Sequence, residues 1–236
     1  MIFDQSIFDI RCEWGENGLK SLSPISDVII IVDVMSFSTC VSIAVSRGAV
    51  VYPFLLNRDK AKEFADSIGA IAAQARAGGL YSLSPRTMLK VEPGMKLVLP
   101  SGNGAKLSLL AGETPCLAGS LRNAKAVAMK AMSLGHRISV IPAGERWKQD
   151  ESLRPAFEDW IGAGAIISNL VGNKSTEAQT AEAIYHHFSQ KLSEALSSCS
   201  SGRELVAAGF QSDIASIAEL DADNAAPILR NGYYSK

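Results

Sequence analysis

Histidine is scarce in this 236-residue chain: three occur, His136, His186 and His187. The adjacent pair lies on a polar helical stretch with no ligand partner at a usable spacing and reads as surface. Cysteine is equally thin. Cys12, Cys40, Cys116 and Cys199 are spread along the chain without CxxC spacing, which excludes a cysteine zinc site or a disulfide framework and leaves reduced, structural thiols. An excess of charge is missing as well, with 23 basic residues against 24 acidic. No global field then draws in nucleic acid or an anionic membrane, although a local basic pocket is compatible with this balance. No apolar run has membrane length, and the opening MIFDQSIFDIRCEW mixes acids into its apolar positions, unlike a signal peptide. A cytoplasmic protein with neither nucleic-acid nor membrane partners is expected.

What the chain has is apolar residue, 47% of the total, enough for a large core, and one domain over 1–236 is expected, with two similar α/β halves as the variant within it. Short β-branched runs alternate with longer helical patterns, the signature of an α/β sheet covered by helices on both faces. Strands are expected at Val28–Val34, Ala49–Leu55, Lys96–Leu99, Pro115–Ala118 and Arg137–Ile141. Helices are expected at Ser38–Ser46, Arg58–Ser67, Asn103–Leu110, Asn123–Ser133, Arg154–Val171 and Thr176–Ser197, with a last pair across Gly202–Leu220 broken at Gly209. The stretch Ala75–Gly94 reads as a long loop, and Ser175 or Thr176 as a helix cap.

Polar residues gather at three strand exits. In VIIIVDVMSFSTCVSIAVSRG a buried strand turns into a helix through Asp33, Ser36, Ser38 and Thr39. A serine there can cap the helix, but a carboxylate and three hydroxyls also suit a ligand crevice at a strand's carboxyl end, beside the anion-attracting start of a helix. In LVLPSGNGAKLSLL the turn Ser101-Gly102-Asn103-Gly104 exposes backbone amides to an oxyanion, with a plain Asn-Gly turn the equal alternative. In VIPAGERWKQDESLRPAFEDWIGAGAII, Glu145 and Arg146 follow a strand, Arg154 comes next, and Glu158 and Asp159 interrupt an apolar helix. Adjacent acids point about 100° apart on a helix, so one is expected to face inward and the other to be solvated. The glycines of WIGAGAII predict a close helix neighbour.

Carboxylates without histidine or cysteine suit Mg²⁺, and helix starts and arginines suit a phosphate. Phosphomonoester chemistry uses the whole inventory. The motifs of several other phosphate enzymes are missing. There is no GxxxxGK[ST] loop and no RHG, Asp33 is not followed by an Asp-x-Asp pattern, and Cys40 and Arg47 lie one residue too far apart for Cys-x5-Arg. Metal-activated water is favoured over a covalent intermediate.

Taken together, IVDVMSFSTCVSIAVSRGA, SLSP, LPSGNGAKLS, GSLRNAKAVA, PAGERW, LRPAFEDWIGAGAI and SGRELVAAGF closely resemble the 2-phosphosulfolactate phosphatase (ComB-like) family, from about Asp27 to the C-terminus. The resemblance implies a three-layer α/β/α fold with a mixed sheet, Mg²⁺ as cofactor, and removal of phosphate from 2-phospho-3-sulfolactate on the route to coenzyme M. Two positions depart from the family pattern. Its DVLRAT carries arginine where this chain has Ser36, and its Gly-Glu-Arg becomes Ala73-Gln74-Ala75-Arg76. Serine offers one neutral hydroxyl where a guanidinium would clamp an anion, so a less cationic pocket is expected, unless Arg146, Arg154, Arg76 or Arg122 supplies the charge.

The expected site is therefore Asp33, Glu145 and Asp159 for catalysis, and Asp33, Glu145, Glu158 and Asp159 for the metal. Ser36, Ser38, Thr39, Ser101, Asn103, Gly104, Arg146 and Arg154 are expected to hold a small anionic phosphoester. A homodimer is left open. The rival reading is a non-catalytic protein that binds an anionic metabolite in the same crevice, although a pure anion binder gains nothing from clustered carboxylates without a metal.

Overall fold

The computed structural model describes residues 4–236. Its strands, in chain order, are β1 (Ile10–Cys12), β2 (Val28–Val32), β3 (Val50–Phe54), β4 (Ile71–Ala72), β5 (Lys96–Pro100), β6 (Cys116–Gly119), β7 (Ile138–Pro142), β8 (Glu145–Arg146), β9 (Leu153–Arg154), β10 (Ile228–Arg230) and β11 (Tyr233–Ser235). The helices are α1 (Gly15–Leu22), α2 (Phe37–Ser46), α3 (Arg58–Ile68), α4 (Pro85–Met88), α5 (Gly104–Leu110), α6 (Ala124–Leu134), α7 (Phe157–Ile167), α8 (Thr176–Phe188), α9 (Leu192–Ser198), α10 (Ser200–Ala207) and α11 (Gln211–Ile217).

Nine strands form one mixed sheet in the order β1-β7-β2-β6-β10-β11-β3-β5-β4, and β8–β9 is a separate hairpin. β1, β7, β2 and β6 are mutually parallel, as are β3, β5 and β4. The antiparallel β10–β11 hairpin joins the two blocks. Strand β2 explains the layering. All five of its residues are buried, and because side chains alternate, Val28, Ile30 and Val32 pack with Val127, Ile161 and Ile166 of α6 and α7. Ile29 and Ile31 meet Leu19, Leu22 and Leu107 of α1 and α5. Buried on both faces, β2 has no room for polar alternation, and the three-layer α/β/α architecture follows. Helix α2 covers β3 and β5, where Phe37, Val41 and Val45 meet Val51, Leu97, Leu99 and Tyr234.

All five expected strands are present, and helix boundaries move where local chemistry dictates. The helix expected from Arg154 starts only at Phe157, since Arg154 pairs with Glu145 in the small hairpin and Pro155 follows it. The Thr176–Ser197 helix is broken by a 3-10 turn at Ser189–Lys191. Ser175 caps α8, accepting from the Ala178 amide at 3.1 Å. The Ala75–Gly94 stretch is more ordered than expected: it contains α4 and buries Tyr81, Met88 and Val91. Gly164 meets the prediction of close helix contact, because a Cβ there would collide with the Ala181 carbonyl of α8. His136, His186 and His187 are exposed.

Candidate active site

Strands β2 and β7 are parallel neighbours, so their carboxyl ends lie side by side. Asp33, immediately after β2, is 6% exposed. Its Oδ1 accepts from the Phe37 amide at 3.1 Å and its Oδ2 from the Gly104 amide at 2.8 Å. Phe37 and Gly104 are the first residues of α2 and α5, so one carboxylate serves two helix N-termini, whose dipoles favour its charge. Ser36 and Asn103, at the two cap positions, make no side-chain cap. Burial pushes the Asp33 carboxyl above its ordinary range, the two amides oppose that shift, and the charge of Glu158 adds to it.

The neighbouring hydroxyls have structural work. Ser38 donates to the Ile31 carbonyl and accepts from the Asp33 amide, and Thr39 donates to the Val34 carbonyl at 2.8 Å. Both are fully buried, so they stitch the strand-to-helix turn. In the second loop, the Asn103 amide points to Ser101 Oγ at 3.3 Å and the Gly104 amide to Asp33. An oxyanion on these amides would compete with acceptors already inside the protein. The turn instead aims Asn103 Nδ2 at Glu145 Oε2, 3.0 Å away. Consecutive residues thus hold the two carboxylates that end β2 and follow β7. A Cβ on Gly104 would sit 2.5 Å from Phe37 Cδ1 and 2.7 Å from Asp33 Oδ2, so only glycine allows this approach.

The third loop corrects one expectation. Glu158 and Asp159 are both buried, at 2% and 3% exposure, because α7 is enclosed on nearly every side. Asp159 Oδ1 accepts from the Val34 amide at 2.7 Å and Oδ2 from the Gly144 amide at 2.8 Å, bridging the exits of β2 and β7. Burial, then the charges of Asp33 and Glu158, push its carboxyl well up. Glu158 Oε2 lies 3.5 Å from Cys199 Sγ, and that thiol is pushed up to about 12 by burial and by Glu158. Glu145 is raised to about 7, first by burial and next by the charge of Asp33, with Asn103 and Arg154 opposing.

Of the four arginines that the sequence offers for position 36, Arg76 is the one that reaches it. Arg76, from the ordered 75–94 stretch, donates from Nη2 to Ser36 Oγ at 2.8 Å. It pairs through Nη1 with Asp213 and lies over the Phe210 ring at 5.4 Å. A guanidinium therefore stands at position 36 although the chain has serine there. Arg122 is buried elsewhere with Asp223 and Glu219. Arg146 donates to the Glu151 carbonyl, and Arg154 lies over Trp147 and donates to Ser201 Oγ. The latter two line a cleft of about 780 Å³ with Glu145, Trp147, Lys148, Ser200 and Arg203. On its other side Glu145 also lines a cavity of about 480 Å³ with Gly102, Asn103 and Lys106. Arg203, from SGRELVAAGF, joins this cleft on α10, a helix that nothing local in the sequence ties to the Glu145 loop.

A buried carboxylate cluster thus lies beside a cation-lined cleft. The model of a family described as 2-phosphosulpholactate phosphatase matches residues 17–232. The chain belongs to this 2-phosphosulfolactate phosphatase family. Among the family's proteins, a probable 2-phosphosulfolactate phosphatase of Carboxydothermus hydrogenoformans is 27% identical over 207 residues, covering 84% of each chain. The family is one of phosphoric monoester hydrolases, in agreement with the resemblance carried by the motifs.

The fit of Mg²⁺ to this family member's residues turns on the donor set. Among the described residues no group of three or more histidine, cysteine, aspartate or glutamate side chains is arranged to hold a metal ion. Mg²⁺ does not require one, since it commonly takes one or two carboxylates and completes its shell with water and phosphate oxygens. Glu145 and Glu158 each keep one carboxylate oxygen without a protein donor among the described residues, and Asp33 and Asp159 add negative charge behind them. Burial first, and the neighbouring acidic charges after it, raise the carboxyls of Asp33, Glu145 and Asp159, and a cation would relieve the second of these causes. The donor set fits.

Among the described residues no helix is long and apolar enough to cross a membrane.

Proposed function

We propose that the protein is a Mg²⁺-dependent phosphatase that hydrolyses a small anionic phosphomonoester, 2-phosphosulfolactate or a close chemical relative. The observation that carries the reading is the position of Glu145, where the buried carboxylate cluster meets the cleft lined by Arg146, Arg154 and Arg203. A phosphoester entering from the cleft brings its negative oxygens to the arginines and its phosphorus to the carboxylate side.

In this reading Glu158 would hold the metal with Glu145 beside it as base, and the metal when bound supplies charge neutralisation for the phosphate and acidifies water. Asn103 fixes the Glu145 carboxylate through Oε2, leaving Oε1 to take the proton of the attacking water. The water oxygen forms a bond to phosphorus as the ester P–O bond breaks. The leaving oxygen is protonated by solvent through the open cleft, giving inorganic phosphate and the free alcohol. Asp33 and Asp159 fix the geometry: their hydrogen bonds to Gly104, Phe37, Val34 and Gly144 tie both loops to the ends of β2 and β7, so that little reorganises during the reaction.

The test is a panel of phosphomonoesters incubated with purified protein in Mg²⁺ and, in parallel, in chelator. Release of phosphate from 2-phosphosulfolactate with Mg²⁺, abolished by chelator, is the expected result. Binding of the ester without cleavage in Mg²⁺ or Mn²⁺ would replace the enzyme reading with that of an anion-binding protein.

A further inference from the structure

The cleft beside Glu145 extends well past the carboxylates, to the helix pair α9 and α10. Its charged lining is Glu145, Arg146, Lys148, Arg154, Arg203 and Glu204, four cations against two acids. Lys148 and Glu204 are within 3.6 Å of each other, which leaves three arginines against Glu145. Arg146 spends a donor on the Glu151 carbonyl. Arg154 contacts a ring and a hydroxyl but no carboxylate among the described residues. The Arg203 guanidinium, on the exposed face of α10, has no ion pair or hydrogen bond among the described residues. Two guanidinium groups without a bound carboxylate, one on the hairpin and one on the facing helix, are more than phosphate at Glu145 requires. A cleft of about 780 Å³ also exceeds what a bare phosphate fills.

We propose that the α10 end of this cleft is a subsite for a second anionic group, a sulfonate or carboxylate, on the same molecule whose phosphate is cleaved beside Glu145, with Arg203 and Arg154 as its cations. This rests on the phosphatase reading and adds to it the specificity-determining residue Arg203. A guanidinium fork matches the paired oxygens of either anion. Stacking on Trp147 pre-orients Arg154, so the distance between hairpin and helix sets the length of substrate accepted. Esters with an uncharged tail leave both arginines unpaired.

Wild type and Arg203→Gln are compared with two substrates, 2-phosphosulfolactate and p-nitrophenyl phosphate, whose tail carries no anion. Wild type is expected to favour the anionic tail in kcat/KM. In Arg203→Gln that preference should fall about tenfold, through KM rather than kcat, the loss of one charge-assisted contact, with Arg203→Lys retaining part of it. A preference untouched by both Arg203→Gln and the charge reversal Arg203→Glu overturns the subsite and leaves the phosphatase reading standing. If wild type cleaves neither ester, the phosphatase reading falls by itself. The subsite is then judged by calorimetric titration with 3-sulfolactate: binding weakened in Arg203→Gln supports it, and no binding, or binding indifferent to Arg203, overturns it.

Discussion

Arg76 reaches across 40 residues of sequence to donate to the Ser36 hydroxyl at 2.8 Å, while its other nitrogen pairs with Asp213, which is only 2% exposed. The guanidinium beside position 36 is thus delivered from a different segment and held by a buried carboxylate. Ser36→Arg would place a second guanidinium against the first and should lower both activity and melting temperature. Arg76→Ala strands Asp213 with Ser84 Oγ as its remaining side-chain donor and should cost about 3 kcal/mol, the lower range for breaking a buried pair. The double variant Ser36→Arg with Arg76→Ala should recover activity relative to Ser36→Arg alone. Thermal melts and kcat/KM on the three proteins check this, and a double variant no better than Ser36→Arg would show that the two positions do not share one role.

Gly104 and Gly102 sit two residues apart and should respond oppositely. A methyl group at 104 meets Phe37 and Asp33, whereas at 102 the nearest atom, Leu56 Cδ2, is 3.8 Å away. Gly104→Ala should destabilise by about 1–3 kcal/mol, as overpacking does, and depress kcat by displacing Asp33. Gly102→Ala should leave stability within about 0.5 kcal/mol. Urea denaturation of both, with activity measured alongside, decides it.

Asp159 and Glu158 are adjacent in sequence but separable by mutation. Both oxygens of Asp159 accept backbone amides, and Asn offers only one acceptor, so Asp159→Asn should cost about 2 kcal/mol of stability. Glu158→Gln keeps size and one acceptor and should preserve the fold. It should instead raise the Mg²⁺ concentration needed for half-maximal activity. Equal loss of stability in both variants would mean that Glu158 is also structural.

Asp27, at the entry to β2, accepts from Arg137 Nε and Nη2 and from the His136 and Arg137 amides. The Arg137 hydrogen bonds hold its carboxyl down at about 2 against an ordinary 3.8. Because the folded value lies below the unfolded one, this contribution is complete above the unfolded value and is lost as pH falls from there towards 2. The group is solvent-screened, so about 1 kcal/mol is the most to expect. Denaturant unfolding of wild type and Asp27→Asn should differ most near pH 6, with the gap narrowing steadily below about pH 4 towards pH 2; a gap constant with pH would exclude the ion pair as its source.

The core strands were legible because burial on both faces leaves a continuous β-branched run such as Val28–Val32, a pattern that needs no tertiary information. β1 was not: its central residue is Arg11, buried at 1% with its charge satisfied by the Phe8 and Ile25 carbonyls, which no periodicity announces. The strands β10 and β11 are three residues each and too short to show alternation. At the site, acids ending apolar runs pointed to Asp33 and Glu145. The burial of both Glu158 and Asp159 escaped the helical-face argument because that argument assumes a solvent side, and nine of the eleven residues of α7 are buried. Arg76 finds its partners, Ser36 and Asp213, far along the chain, and Arg203 reaches the Glu145 cleft only once α10 has packed, neither of which spacing can reveal.

The hairpin Ile228–Ser235 carries the last strands in sequence yet occupies the middle of the sheet, between β6 and β3. During synthesis the two parallel blocks emerge early, each with an open edge that can be covered only when residues 228–235 leave the ribosome. Trimming those few residues removes the seam itself, where Tyr234 bonds Ser108 of α5 at 2.7 Å, so a shortened chain should be prone to edge-to-edge aggregation although its Asp33 and Glu145 carboxylates are untouched.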